Sequence, residues 1–173
     1  MEEFEKLYNK ALKFLSYRPR SEKEVRDRLK LKAQKSKVKT TTQNSKLGID
    51  TELLIDKVIQ KLKEYKFIDD VEFAKKWIEQ RFRFKPRSLS LIKLELKRKG
   101  VSEEIIESII HDSQFIIQND LEQAKKLVEK RIGRLKGLEK QEIYQKLGRY
   151  LASKGFNWDI IKKSIDEMFD EGV

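Results

Sequence analysis

The side chains of this sequence that are best suited to bind a partner are cationic, and they are unevenly distributed along the chain. Residues 81–99 hold eight basic residues and one acid, Glu95, whereas residues 101–124 hold six acids and no lysine or arginine. The formal net charge of the chain is +11. Clustered positive charge of this size is typical of a surface that binds a polyanion or an acidic protein. The alternative, a lysine-rich but merely soluble surface, does not explain why charge segregates by segment.

The sequence contains no constellation of residues that suggests catalysis. His111 is the only histidine and follows Ile109 and Ile110 near a predicted helix end, where a capping or surface role is expected. The absence of cysteine excludes disulfides, zinc–thiolate sites and thiol catalysis. Gly133 and Gly137 lack the spacing of a phosphate-binding loop, and no His, Asp and Glu cluster has metal-ligand spacing. We therefore expect a protein that is not an enzyme and needs no cofactor or metal.

Arginines recur at a fixed distance after an alanine. The interval is seven residues, about two helical turns, so each arginine lies on the same side of its helix as the alanine. The arginine stem could pack on the core with its head near the free carbonyls of the helix end. Alternatively, the arginines form a row that faces a partner. The three pairs are Ala11 and Arg18, Ala74 and Arg81, and Ala124 and Arg131.

Aromatic residues interleave with basic ones at the end of the second such helix. Phe82 and Phe84 alternate with Arg81, Arg83 and Lys85. This pattern can bind a single strand by base stacking and phosphate contact. Phe82 also fits the buried stripe of its helix, whereas the role of Phe84 stays open.

A repeated glycine pattern predicts the architecture. Each glycine is followed at +1 by an apolar residue, at +2 by a helix N-cap residue, and at +5, +6 and +10 by apolar residues. Internal repeats of this kind indicate a tandem array. Each glycine is expected to end a helix with positive φ, and each cap residue to begin the next helix. The copies are Gly48-Ile49-Asp50, Gly100-Val101-Ser102 and Gly155-Phe156-Asn157.

The other predicted N-caps are Ser21, in a capping box with Glu24, and Ser88, Asp69 or Asp70, and Asn119 or Asp120. The second helix of each repeat carries an apolar i, i+4 pair that is expected to face the core: Val25 and Leu29, Ile92 and Leu96, and Leu147 and Leu151.

The predicted fold class is all-α, with three tandem three-helix repeats forming an elongated, curved helical array. We assign the repeats to residues 1–67, 68–113 and 114–173. The first repeat departs from the pattern, because 19 residues separate Leu29 from Gly48 and 4 separate Leu96 from Gly100. The excess, about 33–47, carries four lysines and no acid, and we interpret it as a mobile loop or small hairpin. The predicted helices are roughly 3–17, 21–32, 50–66, 70–84, 88–99, 102–112, 119–132, 139–154 and 157–169.

Charge argues against a helix-turn-helix array that reads DNA with its third helices. A recognition helix must be basic near its contact end, yet the helix after Gly100 carries Glu103, Glu104 and Glu107. The basic surface therefore belongs to the first and second helices of each repeat. Lys93 and Lys97 lie off the apolar Ile92–Leu96 face, so their heads are expected to be exposed. The candidate partner- or DNA-binding residues are Arg18, Arg20, Arg81, Arg83, Arg87, Lys93, Lys97 and Arg98.

The expected compartment is the cytoplasm. The acidic N-terminus, Glu2-Glu3-Phe4-Glu5, lacks the basic region of a signal peptide. No apolar run approaches the roughly 20 residues that a membrane span needs. We expect a soluble, monomeric protein without a membrane contact.

Several segments of the sequence match the pattern of one known family in their order and spacing. They include Arg18-Pro19-Arg20-Ser21-Glu22, Phe67-Ile68-Asp69-Asp70 with Phe73-Ala74, Lys99-Gly100-Val101 and Lys154-Gly155-Phe156. On these residues the chain resembles the RecX regulators of the RecA recombinase over about residues 7–167. The insertion at 33–47 and the stretch 133–146 depart from the family pattern.

The resemblance implies three tandem three-helix repeats that dock into the groove of the RecA filament on DNA. It implies restraint of the recombinase, ATPase and coprotease activities, within DNA repair, DNA recombination and the SOS response. The partner would be the RecA filament, with DNA contacted at least within it. Two alternatives remain: an all-α protein that binds DNA directly without a RecA role, and a helical scaffold for an acidic protein.

Overall fold

The computed structural model describes residues 2–37, 46–110 and 113–170, and these are helical apart from short connections. Within these ranges there is no strand, which confirms the all-α prediction. None of the helices there is both long and apolar enough to cross a membrane. The helices are α1 (Glu2–Leu15), α2 (Glu22–Lys37), α3 (Lys46–Glu64), α4 (Asp70–Phe84), α5 (Leu89–Arg98), α6 (Glu103–Ile109), α7 (Ser113–Ile132), α8 (Lys140–Ser153) and α9 (Trp158–Asp170), with a 3-10 turn at Gly133–Leu135.

Helices α2 and α3 are longer than predicted and take in both ends of the predicted 33–47 loop. Residues 33–37 continue α2 and residues 46–47 begin α3, while residues 38–45 lie outside the described residues. The extension was not predicted because the Thr/Ser/Asn tract that follows it in the sequence is typical of a loop. The stretch Lys30–Lys37 contains neither glycine nor proline, so nothing in it ends a helix.

The predicted roles of Gly48 and Asp50 were wrong, because both residues lie inside α3. A glycine near a helix N-terminus is tolerated, since it costs only about 1 kcal/mol relative to alanine. The predicted N-caps Asn119 and Asp120 were also wrong, because α7 already begins at Ser113. His111 lies outside the described residues.

The other two glycines of the pattern behave as predicted. Gly100 has a φ of 83° and Gly155 a φ of 87°, and each follows the last residues of a second helix. Ser102 Oγ accepts the Ile105 N–H at 3.4 Å, and Asn157 Oδ1 accepts the Ile160 N–H at 2.9 Å. Each glycine therefore ends one helix, and the residue two positions later caps the next.

The chain divides into two compact units. The first comprises Met1–Ala74 and Arg98–Ile105, and the second comprises Lys75–Lys97 and Ile106–Val173. In the first unit α1, α2 and α3 pack around a core that includes Val25, Leu29 and Ile55. In the second unit α7, α8 and α9 pack around a core that includes Leu147, Leu151 and Ile161.

The residues predicted to pack each repeat are buried in all three copies. The alanines and the i, i+4 apolar pairs have no solvent-exposed surface, so their spacing identified the core-facing stripe of each helix. These residues are Ala11, Ala74 and Ala124, with Val25 and Leu29, Ile92 and Leu96, and Leu147 and Leu151.

A carboxylate from another helix caps the N-terminus of α2 in the first unit. Ser21 and Glu24 form the predicted capping box, with the Glu24 N–H donating to Ser21 Oγ at 3.2 Å. In addition, the Glu22 N–H donates to Asp70 Oδ1 at 2.9 Å, and Ser21 Oγ donates to the Lys99 carbonyl at 2.6 Å. Asp69, one residue earlier, is the N-cap of α4 itself.

The second unit repeats this junction at the N-terminus of α5. Ser88 caps α5 as predicted, accepting the Leu91 N–H at 3.2 Å. The Leu89 N–H donates to Asp120 Oδ1 at 2.7 Å, and the Ser88 N–H donates to the Lys154 carbonyl at 3.1 Å. In both units, therefore, an aspartate from the first helix of the next repeat receives an otherwise unpaired amide.

Candidate interaction surface

The first two arginines of the seven-residue series are bound to carboxylates. The Arg18 guanidinium lies 2.8 Å from Glu24 Oε1 and also donates to the Pro19 carbonyl at 3.0 Å. Arg81 Nε donates to Glu95 Oε2 at 2.7 Å, and only 15% of its side chain is exposed. Both side chains therefore stabilise helix ends and junctions within their own units.

Glu95, the acid within the basic run, collects three donors in the second unit. Its carboxylate accepts bonds from Arg81, from Arg87, and from Trp77 Nε1 at 2.8 Å. The Arg81 guanidinium also lies over the Trp77 ring, 4.2 Å from its centroid. Burial opposes ionisation, but these hydrogen bonds and positive charges hold the pKa of Glu95 below its usual range. The charges of Arg81 and Arg87 are therefore largely compensated by the Glu95 carboxylate.

Glu24 plays a comparable part in the first unit. Besides Arg18, it accepts a bond from Lys99 Nζ at 3.0 Å. Burial opposes ionisation here too, yet the bonds from Arg18 and Lys99 keep the pKa of Glu24 below its usual range. Arg20 lies 3.9 Å from the same carboxylate, and its guanidinium stacks 4.1 Å from the centroid of the Phe14 ring. Arg20 is therefore a packed side chain more than a projecting one.

Lys93 does not present the exposed head that its sequence position predicts. Its Nζ lies 2.9 Å from Glu107 Oε1 on α6, and 25% of its side chain is exposed. The helical spacing placed Lys93 off the apolar face, but it could not show that an acidic helix packs beside it. Lys93 is therefore an ion-paired residue of the second unit.

The remaining candidates project into solvent. Arg83 is 67% exposed and makes a 3.3 Å i, i+4 pair with Glu79, whose side chain is equally exposed at 65%. Lys97 and Arg98 are exposed in the last turn of α5. Phe84, the aromatic residue left open above, is 72% exposed beside Arg83. These are the predicted side chains whose charge is best placed to reach a partner.

The basic excess of the third repeat was not among the predicted features. Residues 125–154 hold ten basic residues against three acids, Glu129, Glu139 and Glu142. A count of basic and acidic residues, like the one that distinguishes 81–99, reveals this excess in the sequence, although part of the stretch matches the repeat pattern poorly. The basic residues are Lys125, Lys126, Lys130, Arg131, Arg134, Lys136, Lys140, Lys146, Arg149 and Lys154.

The fold and the composition define a class: an all-α protein of three-helix repeats with a formal net charge of +11. In the described residues there is no group of acids and histidine able to hold a metal. Comparison with known proteins gives the family. Residues 8–33, 69–109 and 118–165 match the first, second and third three-helix domains of RecX. The chain belongs to the RecX family.

Individual relatives agree. The chain is 33% identical over 163 residues to the regulatory protein RecX of Bacillus pumilus, covering 94% of this chain and 55% of that protein. It is 30% identical over 168 residues to that of Clostridioides difficile, covering 96% and 70%. The chain thus spans about half the length of the Bacillus relatives that it matches. The crystal structure of RecX from Lactobacillus salivarius superimposes with a TM-score of 0.69, at 26% identity and 96% coverage of both chains.

Proposed function

We propose that this protein regulates the RecA recombinase by binding the RecA–DNA filament and lowering its recombinase, ATPase and coprotease activities. The observation that carries the proposal is the match to all three RecX three-helix domains, in order along the chain. On this proposal the protein is a non-enzymatic regulator that works in the cytoplasm, in DNA repair, DNA recombination and the SOS response.

The exposed end of α5 is the part of the predicted surface that we assign to filament contact. Lys97 and Arg98 are exposed, whereas the side chains of Arg81, Arg87 and Lys93 are only partly exposed, at 15%, 36% and 25%. Cations in the last turn of a helix are also favoured by the helix dipole, which helps to hold them there. Replacing exposed charges costs little folding energy, so their effect on a partner can be measured separately from stability.

The test is the ATPase rate of a RecA filament on single-stranded DNA, titrated with the wild-type protein and with Lys97→Glu/Arg98→Glu. Like charges placed against an interface cost several kcal/mol, which corresponds to a loss of at least about tenfold in inhibition. The matched control is Lys162→Glu/Lys163→Glu, which makes the same charge change at exposed positions of α9. Helical circular dichroism and a melting curve establish that each variant is folded.

The outcomes separate the two parts of the proposal. If the wild-type protein leaves the ATPase rate unchanged at every ratio, the RecA role is refuted. If the wild-type protein inhibits and the α5 variant inhibits equally well, the RecA role stands and the α5 assignment is refuted.

A direct nucleic-acid-binding role without RecA is the second candidate, and the basic excess of residues 125–154 favours it. It predicts that the wild-type protein binds bare DNA tightly and does not change the RecA ATPase rate. A scaffold role would instead predict that the protein binds an acidic protein, does not bind bare DNA tightly and does not change the RecA ATPase rate.

A further inference from the structure

The turn between α3 and α4 exposes a pair of aromatic side chains. Tyr65 is 62% exposed and Phe67 is 51% exposed, and their ring centroids lie 6.4 Å apart. Nine large apolar side chains are exposed in the described residues, and three of them, Tyr65, Phe67 and Val71, lie within seven positions of the chain. Single exposed apolar residues are ordinary on a protein surface, whereas a group of them marks a binding surface. The group in this turn therefore indicates a contact with another molecule.

Hydrogen bonds to the last turn of α3 hold the aromatic pair in one arrangement. The Lys66 N–H donates to the Lys63 carbonyl at 2.9 Å, and the Phe67 N–H donates to the Leu62 carbonyl at 2.8 Å. Leu62 and Ile68, on either side of the pair in sequence, are buried in the core of the first unit. A turn fixed in this way loses little conformational entropy when it binds, which favours binding through its exposed side chains.

Lys66 lies between the two aromatic residues in a backbone conformation that disfavours a side chain. Its φ is 57°, and in the part of the chain that the structure describes it is the only residue other than glycine with a positive φ. Two other helix ends with positive φ carry glycine, at Gly100 and Gly155. Glycine at position 66 would remove the backbone strain, yet the chain has a lysine there. Strain of this kind at an exposed turn indicates that the side chain has a function.

A cleft adjoins the aromatic pair in the first unit. Its volume is about 670 Å³, and Ile68 and Val71, which follow Phe67 in the chain, line it together with Ile105. The charged residues that line it are three acids and three cations, so the cleft carries no net charge. A cleft of this size and lining can take apolar side chains of a partner.

The local charge of the turn fits a protein partner better than a nucleic acid. Residues 61–72 hold three lysines and four acids, a net charge of −1, although the whole chain carries +11. A phosphate backbone gains little from such a segment, because its binding depends on an excess of cations. Aromatic residues with little net charge are typical of the centre of a protein–protein interface. Because Lys66 lies between the two rings, the complementary surface is an apolar pocket beside a carboxylate.

We propose that Tyr65, Lys66 and Phe67, with the adjoining cleft, form a docking element for protein. Its partner is an apolar pocket flanked by a carboxylate on the protein surface of the RecA filament. The inference rests on the proposed function and deepens it, because it adds a contact with protein through apolar side chains to the cationic contact assigned to the end of α5.

The test is fluorescence anisotropy of the full chain, labelled at its N-terminal amine and titrated with RecA filaments on oligo-dT or with oligo-dT alone. The variant is Tyr65→Ser/Phe67→Ser, and the matched control is Tyr17→Ser, because Tyr17 is a tyrosine of the first unit that is 72% exposed. We expect Kd for the filament to rise at least about tenfold in the variant and less than about twofold in the control. Kd for bare oligo-dT should change less than about twofold in both.

Lys66→Gly provides a second readout that a purely structural role would not change. Relief of the backbone strain should raise the melting temperature by about 2 °C. Loss of the cation should at the same time raise Kd for the filament at least about threefold. A higher melting temperature with an unchanged Kd would remove Lys66 from the docking element.

Three results overturn the docking element. One is a Kd for the filament within about twofold of the wild-type value in Tyr65→Ser/Phe67→Ser. Another is an equal loss of binding to bare oligo-dT, which would make the turn a nucleic-acid contact. The third is an equal loss in Tyr17→Ser, which would be a general effect of exposed aromatic surface. If the wild-type protein does not bind the filament at all, the proposed RecA role is refuted and the docking element with it.

Discussion

The most informative single substitution is Asp120→Asn, because it removes a buried charge while keeping a hydrogen bond. Asp120 is 7% exposed and accepts the N–H of Leu89, the first residue of α5, at 2.7 Å. Burial raises the pKa of Asp120 from 3.8 to about 6, partly offset by that backbone hydrogen bond. At 1.36 kcal/mol per pH unit, the difference corresponds to roughly 3 kcal/mol of lost folding stability once the group is ionised.

Proton linkage gives the direction in which folding stability changes with pH. The folded state holds the Asp120 proton more tightly than the unfolded state does, so stability falls as pH rises from 3.8 to about 6 and stays lower above that. The asparagine variant keeps an oxygen for the Leu89 N–H and cannot ionise. It should therefore match the wild type near the unfolded pKa and exceed it by up to about 3 kcal/mol above neutral pH.

The assay is urea unfolding followed by circular dichroism at a series of pH values, comparing the free energies of unfolding of the two proteins. Asp70→Asn is a parallel test in the first unit, since burial likewise raises the pKa of Asp70, which accepts the Glu22 N–H. Glu129→Gln is the control at an exposed carboxylate. A constant loss of stability in Asp120→Asn at every pH would refute the reasoning, because it would mean that the ionised carboxylate stabilises α5.

Glycine substitutions test the packing in the same unfolding assay. Gly155→Ala should cost several kcal/mol, because φ is 87° and an added Cβ would lie 2.6 Å from Ser88 Oγ. Gly137→Ala, with a φ of 89° but no atom within 4 Å, should lose only about 1 kcal/mol; equal losses would show that the contact at Gly155 relaxes freely. Gly148→Ala, inside α8 with ordinary 3.9 Å contacts to Ile161 and Trp158, should gain about 1 kcal/mol. A loss there would mean that the site is tighter than its geometry indicates.

Sequence alone determined the helical class, the packing stripe of each helix and two of the three glycine helix ends. These features are local: an alanine with apolar residues three and four positions on defines a buried face whatever packs against it. A glycine followed by a cap residue predicts a helix end for the same reason. The pattern was wrong at Gly48, where the charged and apolar residues on both sides continue the helix despite the glycine.

The tertiary structure alone decided how far each charge is exposed. Lys97 and Arg98 are exposed, whereas Arg81, Arg87 and Lys93, which look alike to them in sequence, are partly buried against Glu95 or Glu107. Those acids lie 8 to 14 residues away, beyond the reach of a helical spacing rule.

Contacts between residues far apart in sequence also decide the roles of Asp70 and Asp120. The sequence indicated each of them as a possible cap of its own helix. The structure uses them to cap α2 and α5, at separations of 48 and 31 residues. Sequence periodicity reports which face of a helix is buried, because that depends on neighbours within one or two turns. It does not report which side chain meets a helix end or a charge across a junction, because chain topology sets that pairing.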